Sequence, residues 1–221
     1  MLIGIISDIH SNIYGLKAVL IKLQKTDIII CAGDITGYYT FVNEVFAELQ
    51  NKQVQFIKGN FDNFLFTDYS KNKIIQESVN YTKNVITPEN LELLKNTKTK
   101  LSLKIDSKQI KIFHGSPWKI DEYINPDYKN FKKFKSINAD LIILGHTHKP
   151  MIKKINQTII VNPGSCGQPR DYDGRASCAI YDTKTCEAKI FRIKYDYSPI
   201  IKAIASHNLD PKLIDNLKKT K

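Results

Sequence analysis

Residues 141–148 read Leu141-Ile142-Ile143-Leu144-Gly145-His146-Thr147-His148, and the interpretation of the chain starts from them. The apolar run is too short for a helix and rich in β-branched residues, which predicts a buried β-strand. Side chains two residues apart leave an extended chain on the same side, so we expect His146 and His148 to converge on one point. Paired imidazoles in this setting are candidate metal ligands, although an isolated His-x-His on a surface loop often binds nothing.

Four earlier strands are predicted to end in the same way, with a polar side chain after an apolar run. These strands cover residues 2–7, 27–32, 54–58 and 109–113. The polar side chains that follow them are Asp8 and His10, Asp34, Asn60, and His114. A buried structural Asp or Asn accounts for any one of the first three strand ends, but not comfortably for all three. The recurrence therefore favours a shared polar site.

Helical patterns separate the first three strands. Residues 16–23 place apolar side chains on one helix face after Asn12, a candidate N-cap, and residues 39–51 repeat this spacing. The alternation of strands and helices indicates parallel strands joined by right-handed crossovers. The carboxyl ends of such strands line one edge of the sheet, where ligands bind. We therefore expect the strand-end side chains to lie close together.

The remainder of the chain is predicted to complete a single domain over residues 1–221, with an α/β first half and a β-rich second half. Residues 63–100 are polar and are interpreted as a helical insertion that covers one side of the site. Antiparallel strand pairs are expected over residues 101–113, 151–161 and 176–195. A basic helix is expected over residues 127–138, and a helical tail over residues 198–219 with a break at Pro211.

Composition disfavours several classes of protein. No apolar run is long enough to cross a bilayer, and the apolar start runs into Asp8 without a basic leader, so neither a membrane protein nor a signal peptide is expected. The four cysteines show no Cys-x-x-Cys spacing, which favours reduced thiols in the cytoplasm. The net charge of +11 attracts polyanions, but the lysines are dispersed. A nucleic-acid partner is therefore an open alternative that is not favoured.

In chain order, the strand-end motifs resemble those of the calcineurin-like metallophosphoesterases. The motifs are Asp8-Ile9-His10, Gly33-Asp34, Gly59-Asn60-Phe61-Asp62, His114-Gly115, and Gly145-His146-Thr147-His148. Two later stretches look like the small bacterial and archaeal phosphodiesterase branch: Asn162-Pro163-Gly164-Ser165 and Gly167-Gln168-Pro169-Arg170. The resemblance implies an α/β fold with two facing mixed β-sheets flanked by helices, an αββα sandwich.

The resemblance also implies a site for two divalent metal ions. The implied ligands are Asp8, His10 and His148 for one ion, Asn60, His114 and His146 for the other, and Asp34 as the bridge. Nitrogen and oxygen ligands without thiolate suit Mn²⁺, the favoured ion, and also Fe²⁺, Ni²⁺, Co²⁺ or Zn²⁺. The implied reaction is hydrolysis of a P–O bond by in-line attack of a metal-bridging hydroxide. Asp34, Asn60 and His114 are the implied catalytic residues, through that hydroxide and through phosphate positioning.

One position departs from the resembled pattern. The family commonly carries His after Gly-Asn, where it is expected to protonate or polarise the leaving group, whereas this chain carries Phe61. General acid catalysis is worth about 10²–10⁴ in rate, and Phe cannot supply it. We therefore expect a preference for diesters or other substrates with acidic leaving groups. Asp62, which would ordinarily orient that His, has no evident role in the sequence.

Four further polar residues are less specific. Asn12 either caps the first helix, which is favoured, or contacts a phosphate oxygen. Arg170 and Arg175 either contact phosphate through their guanidinium groups or form ordinary surface ion pairs. His207 is expected to be a solvated helix residue.

The favoured function is that of a metal-dependent phosphodiesterase or phosphatase with a small phosphoester as its substrate. A eukaryotic retromer coat subunit keeps the same fold with a degraded metal site, so a non-catalytic protein-binding scaffold is an alternative. The positive charge supports another alternative, a nuclease acting on polymeric nucleic acid, but the sequence shows no additional nucleic-acid-binding module. All ligand positions are filled, which favours catalysis. The oligomeric state stays open, a homodimer included.

Overall fold

The computed structural model describes residues 1–67 and 72–218. Within them the strands are β1 (Leu2–Ile6), β2 (Ile28–Cys31), β3 (Gln55–Phe56), β4 (Lys100–Ile105), β5 (Lys108–Phe113), β6 (Leu141–Ile143), β7 (Pro150–Ile155), β8 (Thr158–Pro163), β9 (Ala176–Asp182) and β10 (Glu187–Ile193). The α-helices are α1 (Ile13–Lys22), α2 (Val42–Asn51), α3 (Asn60–Asn63), α4 (Lys73–Val85), α5 (Pro88–Asn96), α6 (Ser198–Ser206) and α7 (Asp215–Lys218). Short 3₁₀-helices cover Phe131–Ser136 and Pro211–Ile214.

The strands form two mixed sheets. The first has the order β10-β9-β1-β2-β3, in which β1, β2 and β3 run parallel and β9 and β10 pair antiparallel. The second has the order β4-β5-β6-β8-β7, in which β5, β6 and β8 run parallel between antiparallel edge strands. The prediction of two mixed sheets with helices on their outer faces is confirmed.

The main core lies between the two sheets because alternate strand residues point to opposite faces. Ile3 and Ile5 of β1 join Leu141 and Ile143 of β6 in one fully buried cluster. The outer face of the first sheet packs against apolar side chains of α1 and α2 in a second cluster. Ile142 points the other way from its neighbours in β6 and packs on the outer face of the second sheet. This layering fixes the strand ends that carry the polar side chains.

The connection from β1 into α1 follows the sequence pattern. The Asn12 side chain accepts a hydrogen bond from the Gly15 N–H at 2.8 Å, so the predicted N-cap is confirmed. The second helix was predicted to begin at residue 39, but α2 begins at Val42. Tyr39 is instead almost completely buried in the preceding loop, among side chains of the C-terminal segment.

The basic helix predicted over residues 127–138 is wrong. The structure has a 3₁₀-helix over Phe131–Ser136 only. A 3₁₀-helix has three residues per turn, so side chains three positions apart lie on the same face. Phe131 and Phe134 have this spacing, and both are buried against the second sheet. Two anchors at this spacing suit the tighter helix, and the lysines between them point outward.

The C-terminal segment packs against the loop that precedes α2. Ile200 and Ile204 of α6, with Leu213 and Leu217, form a buried cluster around Tyr39. The predicted break at Pro211 is confirmed, since α6 ends at Ser206 and a 3₁₀-helix begins at Pro211. Residue 219 of the predicted tail lies outside the described residues.

The predicted insertion over residues 63–100 contains α4 and α5, capped at their N-termini by Asn72 and Thr87. Residues 68–71 of this stretch lie outside the part of the chain that the structure describes. Its status as an insertion, and the single domain over residues 1–221, stay predictions. Across the described residues, every helix is too short or too polar to span a lipid bilayer.

Candidate metal centre

Five of the seven strand-end residues lie in left-handed turns, which corrects the expectation that they continue an extended chain. The φ angles are 54° at Asp8, 49° at His10, 53° at Asp34, 66° at His146 and 57° at His148. Left-handed backbone costs about 1–2 kcal/mol per residue, so other contacts must hold each turn. The His146 N–H donates to both Asp8 carboxylate oxygens at 3.2 and 3.1 Å, and the His10 N–H donates to the Asp34 carbonyl at 3.0 Å. These bonds tie together the turns that follow β1, β2 and β6.

The first group of donor atoms comes from Asp8, His10, Asp34 and His148, all of them buried. One side-chain donor atom from each lies within 4.8 Å of the others. The Nε2 atoms of His10 and His148 are 3.1 Å apart. His10 Nε2 lies 3.6 Å from Asp34 Oδ2, and His148 Nε2 lies 3.3 Å from Asp8 Oδ1. Three turns distant in sequence, those after β1, β2 and β6, therefore meet at one point.

The second group comes from Asp34, His114 and His146, whose donor atoms also lie within 4.8 Å of one another. His114 Nε2 is 3.2 Å from Asp34 Oδ2. Asn60 extends this group, because its carboxamide Oδ1 lies 3.1 Å from His114 Nε2. His146 and His148 thus belong to different groups and do not converge on one point, contrary to the expectation from strand alternation. Asp34 belongs to both groups.

Main-chain carbonyl groups fix the proton position on the imidazoles. Nδ1 of His10 lies 3.0 Å from the Thr36 carbonyl oxygen, and Nδ1 of His114 lies 2.7 Å from that of Ala32. His148 makes the same contact with the carbonyl of Gln168 at 2.5 Å. A carbonyl oxygen can only accept, so each Nδ1 carries the hydrogen and each Nε2 points its other valence toward the cluster. Such bonds orient metal-ligating histidines in proteins.

The donor set fits a divalent cation. With hydrogen on Nδ1, the Nε2 atoms of His10 and His148 present two lone pairs to each other. Burial lowers the pKa of His10 to about 3 and lowers that of His148 well below its usual range, so both rings are neutral. Two facing lone pairs repel, and a cation that accepts both removes the repulsion. The nitrogen and oxygen donors, with no thiolate, suit borderline divalent ions.

Protons occupy part of the cluster when no cation is bound. Burial lowers the pKa of His114, but the carboxylates of Asp34 and Asp8 outweigh it and raise the pKa to about 9. Burial raises the pKa of Asp34, but the positive charge of His114 and its hydrogen bond to the carboxylate outweigh this effect and lower the pKa to about 2. Burial raises the pKa of Asp8 to about 7, with His114 opposing the shift and Asp34 adding to it. At neutral pH, His114 therefore holds a proton that a cation must displace.

Asp62, for which the sequence suggested no role, joins two of the site loops. Its Oδ1 accepts hydrogen bonds from the Thr36 N–H and hydroxyl, both at 2.9 Å. Its Oδ2 accepts from the Gly59 N–H at 2.9 Å and the Ile35 N–H at 3.2 Å. The carboxylate thereby clamps the loop after Asp34 to the loop that carries Asn60. Its position two residues after Asn60 in the motif was the only signal in the sequence.

The turn at residues 162–165 forms hydrogen bonds with the main chain next to the donor residues. Asn162 donates to the Gly145 carbonyl at 2.6 Å, and the Ser165 hydroxyl donates to the Asp8 carbonyl at 2.6 Å. The space around Gly145 is too small for a larger side chain. A Cβ on Gly145 would lie 2.1 Å from Ser7 Oγ and 3.1 Å from Asp8 Oδ2, so only glycine fits without movement. The motif of residues 162–165 thus acts on the site through the main chain.

The two arginines of uncertain role differ. Arg175 pairs with Asp173 at 2.6 Å, as the ion-pair interpretation expects. Arg170 instead lines the cavity beside the cluster. Phe61 lines the same cavity, its ring 4.9 Å from that of His10 in an edge-on contact, while its N–H donates to Asp34 Oδ1 at 2.9 Å. His207 is exposed at the C-cap of α6, in agreement with its predicted solvation.

Sequence reasoning missed several residues at the cavity. Tyr38 packs its ring 4.7 Å from that of His10, and Tyr123 packs its ring 4.2 Å from that of His146. The Asp121 carbonyl lies 3.1 Å from His146 Nε2. Tyr123 and Asp121 lie in a loop without periodic pattern, so no sequence signal pointed to them. Tyr38 follows Gly37 after the Gly33-Asp34 motif, and its closeness to this motif was an unused signal.

Comparisons with known proteins agree with this geometry. Residues 1–186 match the family model described as a calcineurin-like phosphoesterase superfamily domain. An uncharacterized protein of Methanocaldococcus jannaschii is 33% identical over 231 residues, covering 94% of this chain and 93% of the relative. The crystal structure of a metallophosphoesterase from Sphaerobacter thermophilus has a TM-score of 0.86 at 26% identity and covers 99% of both chains. That of a hypothetical protein from Pyrococcus horikoshii OT3 has a TM-score of 0.91 at 21% identity, with coverage of 100% of this chain and 98% of the other. The chain belongs to the calcineurin-like phosphoesterase superfamily.

Proposed function

We propose that the protein is a phosphodiesterase that depends on two divalent metal ions, with Mn²⁺ favoured. The proposed ligands are Asp8, His10 and His148 for one ion, Asn60, His114 and His146 for the other, and Asp34 for both. The observation that carries this proposal is the membership of Asp34 in both donor groups. A carboxylate shared by two groups suits two ions a short distance apart, as in other phosphoester hydrolases.

When bound, the ions supply Lewis acidity toward the phosphoryl group and lower the pKa of a water molecule. The chain supplies the charge balance around them. Asp8 and Asp34 are the anionic members of the donor set, and the other donors are imidazoles and one carboxamide. Two carboxylates offset only half the charge of two divalent ions, which leaves a net positive site. Such a site attracts a phosphodiester anion and stabilises negative charge that develops on its oxygens.

Phe61 supports the choice of diesters with acidic leaving groups. Its ring packs against Tyr38 and His10, at centroid distances of 4.6 and 4.9 Å, and offers no proton to a departing alkoxide. A leaving group that is stable as an anion does not need one. Loss of general acid catalysis costs about 10²–10⁴ in rate for a poor leaving group. We therefore propose that the protein hydrolyses aryl-type diesters faster than alkyl monoesters.

The test is a panel of phosphomonoesters, phosphodiesters and cyclic nucleotides, assayed with Mn²⁺, Ni²⁺ and Mg²⁺ on protein first stripped of metal. We expect a nitrophenyl diester to be cleaved faster than an alkyl monoester, and Asp34→Asn to abolish most of that activity. His207→Gln serves as the control, because it removes a histidine outside both donor groups. Faster cleavage of the alkyl monoester would contradict the proposed preference.

Thermal unfolding tests whether the site binds metal, and so distinguishes the proposed enzyme from a scaffold with a degraded metal site. A cation that binds only the native state raises the melting temperature, so Mn²⁺ should stabilise the wild-type protein and His207→Gln but not Asp34→Asn. Failure of Mn²⁺ to stabilise the wild type would favour the scaffold alternative. Activity confined to polymeric DNA or RNA would favour the nuclease alternative.

We also propose that the protein is cytoplasmic. The free cysteines support this proposal, and they are Cys31, Cys166, Cys178 and Cys186.

A further inference from the structure

The cavity beside the donor groups combines polar groups with aromatic rings. It has a volume of about 240 Å³. Asp34 and His146 contribute to its lining, and so do the rings of Tyr38, Phe61 and Tyr123. The proposed metal chemistry needs the polar groups but makes no use of the rings. The rings therefore call for a separate explanation.

Tyr123 presents a planar apolar face at this cavity. Its side chain is 52% exposed, and its ring lies 4.2 Å from the ring of His146 at an interplanar angle of 44°. Two neighbours hold it in place: Ile124 is buried in the cluster beneath the second sheet, and the Asp121 carbonyl contacts His146 Nε2. A half-exposed ring on an anchored loop is a ready stacking surface.

Arg170 is fixed at the same cavity with one end of its guanidinium uncommitted. Its Nε and Nη2 donate to Gln168 Oε1 at 3.1 and 2.7 Å, and Nη2 also donates to the Tyr38 hydroxyl at 2.9 Å. Gln168 is itself fully buried and donates to the Tyr39 hydroxyl at 3.3 Å. Within residues 1–67 and 72–218, these neutral groups are the hydrogen-bond acceptors of the Arg170 side chain, which leaves Nη1 for another ligand.

The other arginines of the chain behave differently. Arg175 pairs with Asp173 at 2.6 Å, and Arg192 pairs with Asp171 at 2.8 Å. Arg170 is thus held rigidly by neutral partners at a cavity, without a carboxylate partner among the described residues. A guanidinium prepared in this way suits an anionic oxygen that arrives with a ligand, because its planar donors match phosphate geometry.

We infer that this cavity binds phosphodiesters carrying a planar aromatic substituent, with Arg170 contacting a non-bridging phosphoryl oxygen and Tyr123 stacking on the aromatic group. The inference rests on the proposed function and names its substrate class. Phe61 fits the same picture, because it replaces a polar proton donor with an apolar wall beside Tyr38. An aryl group and a nucleobase share the chemistry that such a wall recognises.

Binding of matched probe pairs tests the inference, and the phosphonate pair does so without turnover because it has no P–O ester bond. Phenylphosphonate carries a phenyl ring where methylphosphonate carries a methyl group, and thymidine 5′-monophosphate carries a base that 2-deoxyribose 5-phosphate lacks. Each is titrated by calorimetry into the full-length protein loaded with Mn²⁺. We expect the ring-bearing member of at least one pair to bind about tenfold more tightly, the effect of one stacking contact. The probe pair that shows this difference in affinity tells whether the cavity recognises an aryl group or a nucleobase.

Variants assign the effect to residues. Tyr123→Ala should abolish the discrimination, Tyr123→Phe should retain it, and Tyr172→Ala is the control, because Tyr172 is another exposed tyrosine that does not line the cavity. Arg170→Lys keeps the positive charge but loses the planar set of N–H donors, so it should lower the affinity for both members of a probe pair by the same factor. Circular dichroism confirms that each variant is folded.

Three results would overturn the whole inference, and a fourth would overturn the part that concerns Arg170. The first is equal binding within both pairs by the wild type, and the second is undiminished discrimination by Tyr123→Ala. Either result leaves the proposed function standing if the protein still hydrolyses diesters. The third is absence of binding by every probe together with absence of hydrolysis, which removes the proposed function as well. Unchanged probe affinity in Arg170→Lys would remove the role assigned to Arg170.

Discussion

Replacing Asp62 with alanine should destabilise the metal-free protein strongly. The buried carboxylate accepts four hydrogen bonds, three of them from the backbone N–H groups of Ile35, Thr36 and Gly59. Each buried donor left without a partner costs about 1–3 kcal/mol, although relaxation and entry of water reduce the sum. We expect Asp62→Ala to lower the free energy of unfolding by about 3–5 kcal/mol.

Asp62→Asn separates the hydrogen bonds from the shape of the side chain. The amide oxygen can still accept from Thr36, but the amide nitrogen would face the N–H groups of Gly59 and Ile35, which are donors as well. We expect a loss of about 2–3 kcal/mol, between that of alanine and that of the wild type. Asp196→Ala is the control, since Asp196 accepts two hydrogen bonds from Ser198 at an exposed position. Its change should stay within about 0.5 kcal/mol.

Urea unfolding, followed by circular dichroism and by fluorescence, gives these free energies. The slope of free energy against urea should be the same for all variants if the native and unfolded states keep their compactness. A loss below about 1 kcal/mol in Asp62→Ala, with an unchanged slope, would refute the clamp described above. An equal loss in Asp196→Ala would refute it too, because burial would then have no bearing on the cost.

Three further predictions concern the cluster and its supports. The affinity for Mn²⁺ should rise from pH 6 to pH 9. The metal-free site holds protons on His114, with a pKa of about 9, and on Asp8, with a pKa of about 7, and both protons must leave before a cation binds. Titration calorimetry in buffers of different ionisation enthalpy should show proton release, and an affinity that does not change with pH would contradict this prediction. Gly145→Ala should weaken the Mn²⁺-dependent rise in melting temperature, because its Cβ would press on Ser7 and Asp8; a rise equal to that of the wild type would show that the turn has room. Ile204→Ala should cost about 2–5 kcal/mol in urea unfolding, since the side chain is buried against the Tyr39 loop; a neutral effect would mean that the C-terminal segment contributes little stability.

The sequence predicted the meeting of the site residues but not how they meet. Asp8 and Asp34 follow parallel strands of the first sheet, and the carboxyl ends of parallel strands share an edge, so their closeness follows from connectivity. His114 follows β5 of the second sheet, and it reaches them because the two sheets pack face to face. The left-handed φ angles at Asp8, Asp34 and His146 accompany hydrogen bonds between loops distant in sequence, such as that from the His146 N–H to Asp8. Periodicity within one segment carries no information about such bonds.

Loop residues at the cavity were beyond sequence patterns for a related reason. Tyr123 reaches His146 because the loop after β5 folds back, with Ile124 buried beneath it. No turn signal or spacing encodes that path. Arg170 was recognised as a candidate, but only its bonds to Gln168 and Tyr38 distinguish it from Arg175, which pairs with its neighbour Asp173. Long-range packing, which single-sequence reasoning does not see, decided both cases.

The carbonyl groups that orient the imidazoles have a consequence for how this sequence can diverge. Thr36, Ala32 and Gln168 act on His10, His114 and His148 through peptide oxygens, which every amino acid possesses. Substitution at Ala32 or Thr36 therefore leaves the oxygen in place as long as the backbone keeps its path. Distant relatives can differ at these positions and still hold each ring in the same tautomer. The backbone path alone is enough to preserve the orientation of the rings. A comparison of the side chains around the histidines would therefore not reveal that this orientation is preserved.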